Sequence, residues 1–125
     1  MNEILSGISV FENIKHIDEF GGEYWSAREL QNVLDYRKWR KFENVILKAK
    51  DACKHSNYNV FEHFVGTDKL SKRVNNVVVS IIDYKLSRYA CYLIAQNGDS
   101  RKKVITLAQT YFAIQTGKSN YTNDK

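Results

Sequence analysis

Residues 39–53 constrain the fold of this chain more than any other stretch, because Trp39, Phe42, Val45, Ile46, Ala49 and Cys53 recur with the period of one helix face. A stripe of that spacing cannot lie in a sheet, where side chains alternate sides at every residue, and it requires a helix with one buried side. The other side of the same segment carries Arg37, Arg40, Lys41, Asn44 and Lys48. Just upstream, Ser26-Ala-Arg-Glu29 has the spacing of a capping box, in which the serine oxygen accepts from the third helical N–H and the glutamate reaches back. It predicts a short helix from Ala27 to about Leu34, broken at Asp35-Tyr36 before the longer helix begins. Two helices joined by a tight connection, the second with a basic outer side, form a helix-turn-helix outline.

Charge is unevenly placed along the chain. Residues 1–36 hold seven acids against Lys15 and Arg28, whereas residues 37–50 hold six bases (Arg37, Lys38, Arg40, Lys41, Lys48 and Lys50) against Glu43 alone. Eleven bases and six acids follow, and the whole chain nets +5. An acidic first quarter followed by a sharply basic segment implies one positive face and a polyanionic partner.

The segments around this pair are read from turn signals and period. Residues 4–13 satisfy neither the helix nor the strand period and stay open between the two. Ile14–Ile17 and Glu23–Trp25 flank Asp18-Glu-Phe-Gly-Gly22, whose two glycines suit the positive φ values of a tight β-hairpin. Val77–Tyr84 is rich in β-branched residues and reads as a strand pairing back onto about Phe64–Leu70, with Lys69, Lys72 and Arg73 in or near the tip. A basic hairpin after a helix-turn-helix pair stands where a wing would lie. Ser87 caps a helix over Arg88–Asn97 with Tyr89, Leu93 and Ile94 on its apolar side, and Gly98 stops it. Asp99-Ser100 caps a last helix from Arg101 to about Thr116, with Val104, Leu107, Ala108, Tyr111, Phe112 and Gln115 inward and Ile105 and Ile114 off the stripe. Gly117 ends it, and residues 118–125 read as a polar, disordered tail. The fold class expected is α+β: a winged helix-turn-helix-like domain with two small β-hairpins and C-terminal helices.

With 125 residues and 43% hydrophobic content the chain fills one core and not two. No apolar run spans a membrane and no signal-peptide pattern is present, so a cytoplasmic protein is expected. Cys53 and Cys91 fall inside apolar helical patterns and are expected as buried, reduced thiols. His16, His55 and His63 are scattered, and no ligand cluster, nucleophile motif or phosphate-cradling glycine loop accompanies them, so neither a metal, a cofactor nor an enzyme activity is expected. Trp25, Trp39 and Tyr36 sit beside caps and apolar stripes and are assigned to packing before base stacking. Arg88 is open between an ion pair with Asp83 and a phosphate contact.

One resemblance covers residues 12 to 117. Glu23-Tyr-Trp-Ser-Ala-Arg-Glu-Leu30, Leu34-Asp-Tyr-Arg-Lys-Trp39, Asp83-Tyr-Lys-Leu-Ser-Arg-Tyr-Ala-Cys-Tyr-Leu-Ile-Ala-Gln-Asn97 and Gln109–Thr116 resemble the DNA damage-inducible protein D family, related to the BRO N-terminal domains of phage and viral antirepressors. The resemblance implies a DNA-associated protein of the bacterial damage (SOS) response, with residues 1–117 as a BRO-N-like N-terminal domain. Family members are about twice this length, so the chain looks like an N-terminal domain or a short form. Its hairpin tip departs from the family, since Lys72-Arg-Val-Asn-Asn76 lacks the glycine usual there.

Period, charge and resemblance together predict a DNA-binding domain that holds a duplex through its basic second helix and basic hairpin. Arg37, Arg40, Lys41 and Asn44 are placed for base edges, with Lys38 beside them and Lys48 for phosphate. Lys69, Lys72 and Arg73 form the wing contact. Arg101 and Lys102, followed by Lys103, stand at a helix N-terminus where the dipole disfavours cations, which suggests a binding role for the first two. A homodimer is an expected assembly. The alternative is a protein-interaction module acting on a repressor or a DNA-repair protein, with the basic face meeting an acidic surface.

Overall fold

The computed structural model describes residues 10–123, with side chains described for residues 10–113. Residues 10–13 are helical (α1), which settles the last part of the ambiguous N-terminal segment; its residues 4–9 lie outside the described ones. Phe11 is fully buried, and its carbonyl accepts a hydrogen bond from Trp25 Nε1 at 2.9 Å.

The first hairpin pairs β1 (His16–Ile17) with β2 (Glu23–Ser26). Its turn is organised by Asp18, whose Oδ1 accepts from the N–H groups of Phe20 and Gly22 at 2.9 and 2.8 Å. Only Gly21 takes a positive φ, +85°. Gly22 is needed for a different reason, since a Cβ there would lie 2.9 Å from Asp18 Oδ2.

Strand β2 runs directly into α2 (Ala27–Val33). Half of the expected capping box forms: Ser26 Oγ accepts from Glu29 N at 3.4 Å, but the Glu29 carboxylate turns to His16 Nε2 at 2.6 Å instead of reaching back. A carboxylate remote in sequence serves this helix start as well. Asp83, 7% exposed, accepts from Ser26 Oγ at 2.8 Å, from Arg28 N at 3.0 Å and from Tyr84 N at 2.8 Å. Helix α2 closes with Asp35 in the left-handed region at φ +62°, its N–H bonded to Asn32 O and that of Tyr36 to Gln31 O. Helix α3 (Trp39–His55) follows. It buries Phe42, Val45, Ile46, Ala49 and Cys53 as the period predicts, with Trp39 half-buried, and ends in the same way at Asn57, φ +65°.

A short α4 (Val60–His63) leads into β3 (Phe64–Lys72), which pairs with β4 (Val78–Leu86) from Phe64↔Leu86 to Lys72↔Val78. The sheet is four-stranded and antiparallel in the order β1-β2-β4-β3. Strand β2 meets β4 only at Trp25↔Leu86 and Ser26↔Lys85, so beyond Asp83 the β3–β4 ladder continues as a two-stranded arm. Without a glycine at its tip the arm turns through Asn76, whose φ of +67° an asparagine tolerates; its N–H bonds Arg73 O at 3.0 Å, and Arg73 N bonds Val77 O at 2.7 Å.

Helix α5 (Arg88–Gln96) is capped by Ser87, which accepts from Ala90 N at 3.0 Å. Helix α6 (Lys103–Asn123) begins later than the sequence suggests, because Arg101 and Lys102 belong to the preceding turn, and it runs past Gly117 into the stretch read as a tail. Its buried stripe is Ile105, Ala108, Tyr111 and Phe112, while Val104 and Leu107 are only half-buried. Ile105 is therefore core and not off the stripe. The cause is Gly98, whose missing side chain admits Ile105 so closely that a Cβ would lie 2.8 Å from its Cδ1. Gln115 and Ile114 lie outside the described side chains.

The core is continuous from Phe11 and Trp25 through Phe42 and Ile46 to Ile94 and Phe112. Arg88 resolves in favour of an ion pair, but with Glu23 and not Asp83: Nε and Nη2 reach the two carboxylate oxygens at 2.6 and 2.8 Å, and the guanidinium lies 4.9 Å from the Trp25 ring centre. Hydrogen bonds from Arg88 hold the Glu23 carboxyl below its ordinary pKa, against the opposing effect of burial. Both cysteines are free and buried, and burial pushes the Cys91 thiol well above its ordinary value. Among the described residues no helix is long and apolar enough to cross a membrane.

Because Asp83 satisfies three donors at once, Asp83→Ala leaves a hydroxyl and two backbone N–H groups without their acceptor. The expected loss is about 2 kcal/mol in urea denaturation. Asp68→Ala, on the exposed arm, is expected to stay within about 0.5 kcal/mol.

Candidate nucleic-acid interface

Helix α3 buries one side because its apolar residues fall at that spacing, and the same period turns its cations outward. Arg37, Lys38, Arg40, Lys41, Asn44 and Lys48 are all exposed. No ion pair within the described residues involves Arg37, Lys38, Arg40, Lys41 or Lys48. The start of the helix is built against its own stability. The N-cap, Lys38, makes no side-chain capping bond, and the first turn contains Arg40 and Lys41 but no acid. Cations there oppose the helix dipole, where an acid would stabilise by about 0.3 to 1 kcal/mol.

The connection between α2 and α3 is held by the turn before α6. Lys102 Nζ donates to Asp35 O at 2.6 Å and stands 4.0 Å from the centre of the Tyr36 ring, while Asp99 N donates to Tyr36 Oη at 3.2 Å. Asp35, Tyr36, Arg37, Lys38, Lys41, Asp99 and Lys102 thereby surround an open concavity of about 430 Å³. Two of the expected binding signals, the start of α3 and the Lys102 turn, are thus brought together. Arg101 is less available than its sequence position suggests. Although 90% exposed, it forms a two-pronged pair with Asp99 at 3.0 Å, and its hydrogen bonds hold the Asp99 carboxyl below the usual range.

The arm is anchored on the opposite flank of α3. Lys50 Nζ donates to Tyr84 Oη at 3.2 Å and lies 4.5 Å from that ring's centre. Arg28 Nε donates to Ile82 O at 2.7 Å while its guanidinium stacks 3.8 Å over Trp39. Lys69, Lys72 and Arg73 are exposed further out along the arm. Between the two flanks lies the outer ridge of α3, formed by Arg40, Asn44 and Lys48. Sequence reasoning missed both anchors. Lys50 was legible, because it falls on the helix side shared by Trp39 and Ile46, whereas nothing local marks Arg28.

Residues 13–113 match the description "BRO family, N-terminal domain". The chain belongs to this family. The matched span contains every candidate residue of the interface, from Arg37 to Lys102. The BRO-family chain is also 44% identical over 115 residues to DNA damage-inducible protein D of Escherichia coli (strain K12), an alignment covering 92% of this chain and 42% of that relative. It therefore spans less than half the length of the curated relative it matches. No solved structure matches it.

The charge at the start of α3 has a measurable consequence. Lys41→Glu is expected to raise stability by about 0.5 kcal/mol in urea denaturation, since it complements the dipole and breaks no pairing. Lys102→Met is expected to lower it by about 1 kcal/mol, because that lysine holds Asp35 and Tyr36.

Proposed function

We propose that this domain binds duplex DNA in the manner of a winged helix-turn-helix, with α3 in the major groove and the β3–β4 arm as the wing. The observation that carries the reading is the row of unpaired cations on α3, kept at a helix start that they destabilise and flanked on both sides by anchored elements. Charge that opposes folding and finds no partner within the described residues fits a surface shaped for a polyanion. The relative's name, DNA damage-inducible protein D, supports placing the chain in a damage response, and the family likeness supports an antirepressor-like role. On this reading the domain is a binding module and not an enzyme.

Roles follow from position. Arg40 and Asn44, on the ridge, meet base edges, where arginine pairs with guanine and asparagine with adenine through two hydrogen bonds each. Arg37, Lys38, Lys41 and Lys102 around the concavity, and Lys48 further along, meet phosphates, which position the protein without reading sequence.

These five phosphate contacts, with those of Lys69, Lys72 and Arg73 on the arm, predict that affinity for a labelled duplex falls by at least about a thousandfold between about 50 and 200 mM salt in fluorescence anisotropy. Arg37→Glu, Arg40→Glu and Lys41→Glu together are expected to abolish binding. Affinity that ignores salt, or that survives the triple reversal, overturns the proposal. Capture of a repressor or repair protein after nuclease treatment, with negligible duplex affinity, supports the protein-interaction reading instead.

A further inference from the structure

Several apolar side chains toward the end of the arm stay exposed among the described residues. Val74, at the tip, is 106% exposed, and Leu70 and Val78 are 74% and 57% exposed. Leu70 stands opposite Ser80 and Lys72 opposite Val78, so Leu70 and Val78 are diagonal neighbours on one face of the ribbon. That face also carries Tyr84, which meets Lys50 of α3, so the apolar strip is continuous with the side of the arm anchored to the helix. No acid occurs between Asp68 and Asp83, whereas Lys69, Lys72 and Arg73 lie in that stretch.

This combination selects among occupants. A second copy of the arm would bring three cations against three cations. A duplex neutralises them. The reach also fits, since residues 67–73 extend about 20 Å at a strand's rise, and the adjacent minor groove lies half a turn, about 17 Å, from a helix seated in the major groove. Arginine, lysine and asparagine are the side chains that suit the minor groove, and Arg73, Asn75 and Asn76 surround the tip.

We infer that the arm enters the minor groove and that Val74 acts as an apolar wedge, partly unstacking one base step and bending the duplex. This rests on the DNA-binding reading and adds a mechanical activity to it. Val74 suits the task because a β-branched side chain holds a fixed rotamer and carries no polar group to leave unsatisfied between bases. The step opened is expected to be a flexible pyrimidine–purine step such as TA. Bending in turn brings the flanking duplex toward the cations of the arm.

The test uses the whole chain and a duplex with TA steps, labelled at its two ends for energy transfer and carrying 2-aminopurine at a TA step. Affinity is followed in parallel by anisotropy. The expected result is a rise in transfer efficiency and in 2-aminopurine emission on saturation. Val74→Ala and Val74→Ser are expected to remove most of both changes while altering affinity less than about fivefold, because the phosphate contacts remain. Lys72→Ala with Arg73→Ala should weaken binding while leaving the signal of the saturated complex intact. Binding without bending, or bending unchanged in both Val74 variants, overturns the wedge and leaves the DNA reading standing. Absence of binding in the anisotropy measurement overturns both.

Discussion

One carboxylate joins the parts of this domain. Asp83 belongs to β4, one of the two inner strands, yet its oxygens accept from the start of α2, at Ser26 Oγ and Arg28 N, and from the next residue of its own strand. The N–H groups at a helix start have no partners within the helix, and an acid placed there also answers the dipole. Because β4 forms half of the arm, and because α2 leads through Asp35 into α3, this carboxylate sets where the arm stands relative to the basic helix. The remaining anchors close the same geometry: Arg28 reaches Ile82 and Trp39, and Lys50 reaches Tyr84. Lys102 secures the other end of the connection at Asp35.

Firm anchoring contrasts with the treatment of the exposed cations. The buried end of the molecule pairs its charges, as with Arg88 Nε and Nη2 on Glu23, although Arg88 Nη1 finds no hydrogen-bond partner among the described residues. On α3 the reverse holds, with cations at an uncapped helix start. Helix stability of a few tenths of a kcal/mol per charge is forgone there, and the core beneath, Phe42, Ile46 and Ala49, carries the helix instead. This division of labour suits a binding surface, since a rigid inner side presents a charged outer side whose groups remain available.

How far the sequence foretold this depends on whether a feature is local. The α3 stripe, the Ser26 and Ser87 caps and the β3–β4 hairpin all follow from period and from side chains a few residues apart, and these are legible. Pairings across the chain are not. Nothing near Asp83 marks it as the acceptor for Ser26, and nothing near Glu29 shows that His16 will take its carboxylate. Arg88 illustrates the limit, for the sequence left it open between Asp83 and a phosphate, whereas in the fold Asp83 is engaged with α2 and Glu23 pairs with the arginine. The displaced stripe of α6 has a similar origin, since only the packing against Gly98 shows that Ile105 faces inward. For the interface, the cations were readable as a group, whereas the union of α3 with the Lys102 turn, and the neutralisation of Arg101 by Asp99, needed the folded chain.

On the proposed reading, α3 and the arm, fixed relative to one another through Asp83, engage one duplex together. Amide chemical-shift titration of the isotope-labelled chain with a short duplex tests this directly. The signals of Arg40, Asn44 and Lys48 and those of Lys69, Lys72 and Val74 are expected to shift and saturate at the same duplex concentration, while those of the Glu23–Arg88 side stay in place. Shifts confined to one of the two elements, or saturation at separate concentrations, would contradict it.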